Sequence, residues 1–363
     1  MRTRIIYLIL AAAVTILWAA GASTASAATF YLRAEQFNMT MPDTAVVPMW
    51  GYALDSSAGA HDGVLSSPGP RLTLPPGDTT LTVQLENNLP AGTSTSLVIP
   101  GLAATMTPVR LPNGRARALT SEVASGGSAA YTWTGVRPGT FLYHSGSHMQ
   151  VQVQMGLYGV MTKDFSTGVV YSGVPYDLEA LVVFSEVDPA LHAAVAGGQY
   201  GEGLAMTSTV DYAPKYFLIN GAADQSFAQV DAAPGDKVLL RFVNAGLKTK
   251  APFILDRYMW CLAEDAFVKA HPTQRYSFEL PALKTIDAAY VNISGVTGGQ
   301  VGGEDGPMDK DPAPVEPAKI ADRSGYVTQG IQPNVVDIGD GGGGGSSEAS
   351  SSGSGGCFIS SLD

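Results

Sequence analysis

His144 and His148 are the one close pair among the five histidines of this 363-residue chain. They stand in GTFLYHSGSHMQVQVQMGLYG, residues 139–159, with Met149 and Met155 just beyond. Imidazole and thioether both suit copper, so these residue types point to binding of one copper ion through His144 and His148. On a fully extended strand the two residues would lie about 13 Å apart, too far to share a metal. Gly146 must therefore turn or bulge the backbone for the pair to converge. The alternative reading places His144 in a hydrogen bond inside the fold and His148 in solvent, with the neighbouring glutamines on the wet side of a strand.

Other chemistry is thinly supplied. His61 and His271 are isolated, and His192 sits in Asp188-Pro189-Ala190-Leu191-His192, where a loop or helix-start contact is the expected role. Cys261 lies in an apolar run and reads as a small buried hydrophobe, while Cys357 reads as a tail thiol; their spacing demands no disulfide. Glu264-Asp265 reads as a pair of exposed loop charges, and Trp133, Tyr143 and Tyr158 as core aromatics. No GxSxG elbow, Walker A loop, HExxH helix or EF-hand pattern occurs, which leaves hydrolysis, nucleotide binding and calcium binding without support. A net charge of −11 argues against nonspecific nucleic-acid binding, because phosphate contacts need positive charge.

The elements that must hold the histidines read as strands. Leu81-Thr82-Val83-Gln84-Leu85-Glu86 alternates apolar and polar residues before the turn-rich Asn87-Asn88-Leu89-Pro90. Val151-Gln152-Val153-Gln154-Met155 alternates in the same way and is expected to be a strand as well. Leu181–Phe184 and Tyr216–Ile219 are short β-branched or aromatic runs of the kind that fill a core. Pro76-Gly77-Asp78 introduces one strand and Pro234-Gly235-Asp236 introduces another 158 residues later, a spacing that suits a duplicated unit.

The ends differ in character from the middle. Arg2 and Arg4 precede an apolar run from Ile5 to Ala20 and a small-residue stretch ending Ala25-Ser26-Ala27, the pattern of a secretory signal peptide over residues 1–27. The expected location is secreted, periplasmic or at the cell surface, with no retained transmembrane segment. Beyond residue 300, glycine, serine, proline and acidic residues take over, so 301–363 reads as a low-complexity flexible tail.

Several stretches together resemble bacterial multicopper oxidases. These include YLRAEQFNMTMPD at 31–43, PGPRLTLPPGD at 68–78, TVQLENNLP at 82–90, GTFLYHSGSHMQVQVQMGLYGVM at 139–161, LVVFSEVDPALH at 181–192 and KVLLRFVNAG at 237–246. The resemblance implies an all-β fold: two tandem cupredoxin-like Greek-key β-sandwiches, at 29–168 and 172–300, followed by the disordered Gly/Ser-rich tail. It also implies a set of copper ligands that can be checked position by position. The family's first His-x-His pair belongs after the NNLP segment, where this chain reads Ser96-Leu97-Val98-Ile99-Pro100-Gly101. Its second pair matches His144 and position 146, which is glycine. The later elements that supply the remaining ligands, including the one with cysteine between histidines, have no match after residue 246, so a C-terminal ligand domain is expected to be missing. The resemblance implies a copper-dependent oxidoreductase, yet a degenerate one without complete type 1 and trinuclear sites, and at most one copper per monomer is expected. The alternatives are an exported copper-binding protein or a non-catalytic cupredoxin scaffold with a homo-oligomer or surface-assembly partner.

Overall fold

The computed structural model describes residues 26–210, 212–223, 232–253 and 258–291, together with the backbone of 319–322 and 336–339. Residues 1–25 of the expected leader, Cys357 and most of the expected tail lie outside these residues, while Ser26 and Ala27 begin β1. The N-terminal part runs β1 (Ser26–Thr40), β2 (Val46–Asp55), β3 (Gly69–Leu74), β4 (Asp78–Asn88), β5 (Val109–Arg110), β6 (Ala116–Ala118), β7 (Ser128–Thr134), β8 (Gly139–His144), α1 (Met149–Met155) and β9 (Tyr158–Lys163). There follow β10 (Val169–Tyr171), β11 (Val174–Pro175), β12 (Leu178–Val187), α2 (Pro189–Ala196), β13 (Tyr216–Ile219), β14 (Lys237–Asn244), β15 (Met259–Glu264), β16 (Phe267–Arg275) and β17 (Thr285–Val291). A separate pair, β18 (Lys319–Asp322) and β19 (Val336–Gly339), is antiparallel and lies inside the stretch expected to be a flexible tail.

Two N-terminal sheets, ordered β2-β1-β4-β7 and β3-β9-β8, share one apolar core. The alternation in β4 does what its period requires: Leu81, Val83 and Leu85 are fully buried in that core, beside Trp133 and Phe141. Each such side chain contributes roughly 1.5–3 kcal/mol relative to leaving it in water. The C-terminal part is a single six-stranded sheet, β13-β12-β14-β17-β15-β16. One face buries Val182, Phe184, Leu240 and Phe242; the other sends Val183 and Val243 against Leu142 and Val160 of the N-terminal part. Burial on both faces is why β12 and β14 read as continuous apolar runs rather than alternating ones.

The repeat seen in the turns has a structural counterpart. β1 pairs antiparallel with β2 and parallel with β4, which pairs antiparallel with β7. β12 likewise pairs antiparallel with β13 and parallel with β14, which pairs antiparallel with β17. Even the ends of β4 and β14 match. Asn87 donates through Nδ2 to the carbonyls of Thr93 and Val123 and accepts from Leu89 N–H. Asn244 donates to those of Lys248 and Leu280 and accepts from Gly246 N–H.

One expected strand is a helix. Val151–Met155 belongs to α1, which links β8 to its antiparallel partner β9. Its alternation misled because all five residues from Val151 to Met155 are buried, on whichever side of the helix they lie. Residues two apart on a helix face nearly opposite ways, whereas those four apart share a face. Val151 and Met155 accordingly enter the N-terminal core, while Val153 packs with Val183 and Val243. Gln152 and Gln154 fill polar niches on the remaining sides, contrary to the wet strand face expected of them, and Gln150 is exposed. Gly156 ends the helix with φ 120, and a Cβ there would lie 2.1 Å from the Trp50 carbonyl oxygen, so the reversal into β9 requires glycine.

Candidate metal centre

All six residues of β8 are buried, and its last residue, His144, is held by two backbone bonds to Val98, 2.9 and 3.0 Å. The imidazole is 1% exposed and its Nδ1 donates to the Ser145 carbonyl at 2.8 Å. That bond sets the tautomer and leaves Nε2 with the lone pair. Burial lowers the His144 pKa below the usual histidine value, so the neutral, ligand-competent ring prevails at neutral pH.

After His144 the chain turns through Ser145, Gly146 and Ser147 into α1, with His148 in the left-handed region (φ 42) as the residue before the helix. The expected break at Gly146 is present, but the two histidines occupy different surroundings. His144 is interior and His148 is exposed. Met155 is fully buried in the N-terminal core, while Met149 is exposed beside His148.

Between these residues and the Ser96–Gly101 segment lies a net of hydroxyls. Ser96 Oγ is 3.0 Å from Ser147 Oγ and 2.9 Å from Thr120 Oγ1. Thr95 Oγ1 and Ser145 Oγ both donate to Gln152 Oε1, at 2.8 and 2.6 Å, and Gln152 Nε2 donates to the Ser94 carbonyl at 2.8 Å. Thr95, Ser96, Ser145, Ser147 and Gln152 are all buried. The net therefore satisfies its own polar groups and zips the 94–98 segment to the turn after β8. Gly146 has no space for a side chain: a Cβ would lie 2.7 Å from Val98 Cγ1, 2.7 Å from Thr120 Cγ2 and 3.0 Å from Ser96 Oγ.

The remaining sequence candidates are structural. Asp188 caps α2 by accepting from Ala190 and Leu191 N–H, with Pro189 at the first helical position. Buried His192, in the first turn of α2, donates from Nδ1 to the Pro48 carbonyl of β2 at 2.8 Å. His61 Nε2 is 2.7 Å from Glu86 Oε1, and His271 is exposed on β16. Burial pushes the Cys261 thiol up to about 11, so it is protonated at neutral pH. Glu264 pairs with Lys269 and Asp265 with Lys284. Among the described residues, no three of His, Cys, Asp and Glu gather where they could hold a metal ion. Nor is any helix among them long and apolar enough to cross a membrane.

The multicopper oxidase family model matches residues 64–164, which span β3 to β9 and the whole hydroxyl net. Part of this chain resembles the multicopper oxidases. Solved structures extend the likeness at the level of fold. The blue copper oxidase from Nitrosomonas europaea superposes with a TM-score of 0.57 at 14% identity, over 86% of this chain and 86% of that one. The multi-copper oxidase from Pseudomonas thermotolerans gives 0.53 at 19% identity, over 81% and 68%. Fet3p, a multicopper oxidase that functions in iron import, gives 0.54 at 18% identity, over 74% of this chain and 46% of its own. No curated protein matches the sequence. The architecture is thus predominantly β and cupredoxin-like, as in those multicopper oxidases.

The two segments compared with the family's ligand positions lie side by side, since Val98 bridges directly to His144. The resemblance did not reveal what fills the space between them. Ser96 stood in the sequence only as a missing imidazole, Gln152 was expected on the wet side of a strand but is buried, and Thr120 and Ser147 had no expected role. Yet the run Thr93-Ser94-Thr95-Ser96 and the pair Ser145 and Ser147 already supplied hydroxyls where imidazoles were sought. A trinuclear copper cluster does not fit these residues: serine and valine line the first ligand segment, and position 146 cannot accept an imidazole without displacing its neighbours.

Proposed function

We propose that this chain is an exported, degenerate relative of the multicopper oxidases, built as two tandem cupredoxin-like Greek-key sandwiches, that serves as a scaffold without oxygen-reducing activity. The closed net of Ser96, Thr120, Ser147, Thr95, Ser145 and Gln152 around Gly146 carries this reading, because it occupies the ground on which paired imidazoles would have to meet. The matching pairing pattern of β2-β1-β4-β7 and β13-β12-β14-β17 supports the tandem arrangement.

One copper per chain is a second reading, favoured by the tautomer that leaves His144 Nε2 with its lone pair. His148 would be the partner ligand. The deciding experiment strips metal from the purified full chain, adds copper, and measures tightly bound copper together with oxygen uptake in the presence of a phenolic or metal-ion donor. The scaffold reading expects no donor-dependent uptake and no more than one copper per chain. Three or more coppers with donor-dependent uptake would overturn it. A single copper lost in both His144→Ala and His148→Ala establishes the second reading.

A further inference from the structure

Arg241 of β14 is the largest charged side chain fully buried among the described residues, at 0% exposure, and none of its bonding partners lies on β14 itself. Its Nε donates to Glu179 Oε2 at 2.8 Å on β12, its Nη2 to Asp164 Oδ1 at 2.6 Å just after β9, and its Nη1 to Thr140 Oγ1 at 3.0 Å on β8. All donor-bearing nitrogens of the guanidinium are therefore engaged, and two of the three partners belong to the N-terminal part, Thr140 within β8 and Asp164 directly after β9.

Around this centre the contacts keep crossing the same seam. Thr140 Oγ1 donates to Asp287 Oδ1 of β17 at 2.5 Å, its N–H donates to Asp287 Oδ2 at 3.2 Å, and its carbonyl accepts from Thr285 Oγ1 at 2.9 Å. Tyr171 of β10 also donates to Asp287. Arg71 of β3 grips Glu179 from the other side, and Tyr176 donates to Asp164 Oδ2 at 2.7 Å. Farther along, Arg137 donates to the carbonyls of Asp265 and Ala266 at 2.8 and 2.9 Å. A buried charge is tolerated only when paired and hydrogen-bonded, so Arg241 has its full set of partners only while the two sets of sheets are docked.

We infer that Arg241 is a docking latch: its guanidinium, clasping Glu179, Asp164 and Thr140, makes the N-terminal sheets and the six-stranded sheet a single cooperative unit. Apolar contacts such as Val183 and Val243 against Leu142 are non-directional, whereas the fork of a guanidinium fixes one orientation.

Calorimetry of the full chain, combined with limited proteolysis of the 164–178 connection, tests this. The wild type is expected to unfold in one transition. Arg241→Met keeps an unbranched apolar stem but loses the fork, and is expected to split the unfolding into two transitions and speed cleavage of the connection at least tenfold under native conditions. Thr140→Val is the milder variant, isosteric at the centre of the same network, and is expected to move both readouts in the same direction should Arg241→Met fail to fold. Two transitions already in the wild type, or one transition with unchanged cleavage in the variants that fold, would overturn the latch.

Discussion

Substituting Gly146 by alanine adds one carbon at the point where the metal-centre reading is most exposed to disproof. The new Cβ would sit 2.7 Å from Val98 Cγ1 and 2.7 Å from Thr120 Cγ2. Carbon atoms rest about 3.5–4.0 Å apart, so close to an ångström must be found between three segments held by the hydroxyl net. Overpacking of this kind costs about 1–3 kcal/mol. The loss of glycine freedom in the unfolded chain returns about 0.4–1 kcal/mol, leaving a net destabilisation of about 1–2 kcal/mol. Urea denaturation of wild type and Gly146→Ala measures this as a lower midpoint at constant slope. Val98→Ala removes one of the two crowding methyls, so the double variant should recover a substantial part of the cost, with a coupling energy of about 0.5–1 kcal/mol or more. A Gly146→Ala protein as stable as wild type, or one whose penalty is the same with and without Val98→Ala, would show that position 146 has room and that the argument against an imidazole there is wrong.

Ser96→Ala should destabilise the chain by about 1–3 kcal/mol, because it leaves buried Ser147 without a hydroxyl partner at 3.0 Å; adding Ser147→Ala should cost little more, as chemical denaturation would show. Asp188→Ala removes the α2 cap and the bond to Ala213 N–H, and a loss of about 0.5–2 kcal/mol is expected in the same assay. Burial holds the pKa values of His144 and His192 below the ordinary histidine value, so their stabilising contribution is complete above about pH 6.5 and is lost as pH falls through the lowered folded-state values. Stability measured against pH should therefore decline on acidification through this window, and His192→Gln should flatten the decline. Cys261 should resist alkylation at pH 8 until the chain is unfolded, which mass spectrometry of the labelled protein would establish.

The strands were legible wherever one physical rule acted alone. β4 buries one face and shows it by alternation; β12 and β14 are buried on both faces and show it as apolar runs. The duplicated Pro-Gly-Asp turns correctly marked the starts of β4 and β14. Val151–Met155 defeated the same reasoning because a period of two also arises when a buried helix meets a different neighbour on each side. At the candidate centre, the missing imidazoles were plain in the sequence. The hydroxyl net was not, since it joins residues 94–96, 120, 145–147 and 152, whose proximity exists only after folding. The Arg241 cluster was hidden for the same reason, its partners lying 62 to 101 residues away along the chain.

Gln152 and Gln154 give α1 a mechanical role. Gln152 is pinned to Ser94, Thr95 and Ser145, while Gln154 accepts from the Tyr212 hydroxyl at 2.5 Å on the opposite side. Two residues apart on a helix, they point about 200° from one another. Rotating the helix either way about its axis pulls at least one glutamine off its partner, so α1 behaves as a key seated in two keyways. Its azimuth is set jointly by the turn after His144 and by the loop that carries Tyr212, and neither can move without turning the key in the other.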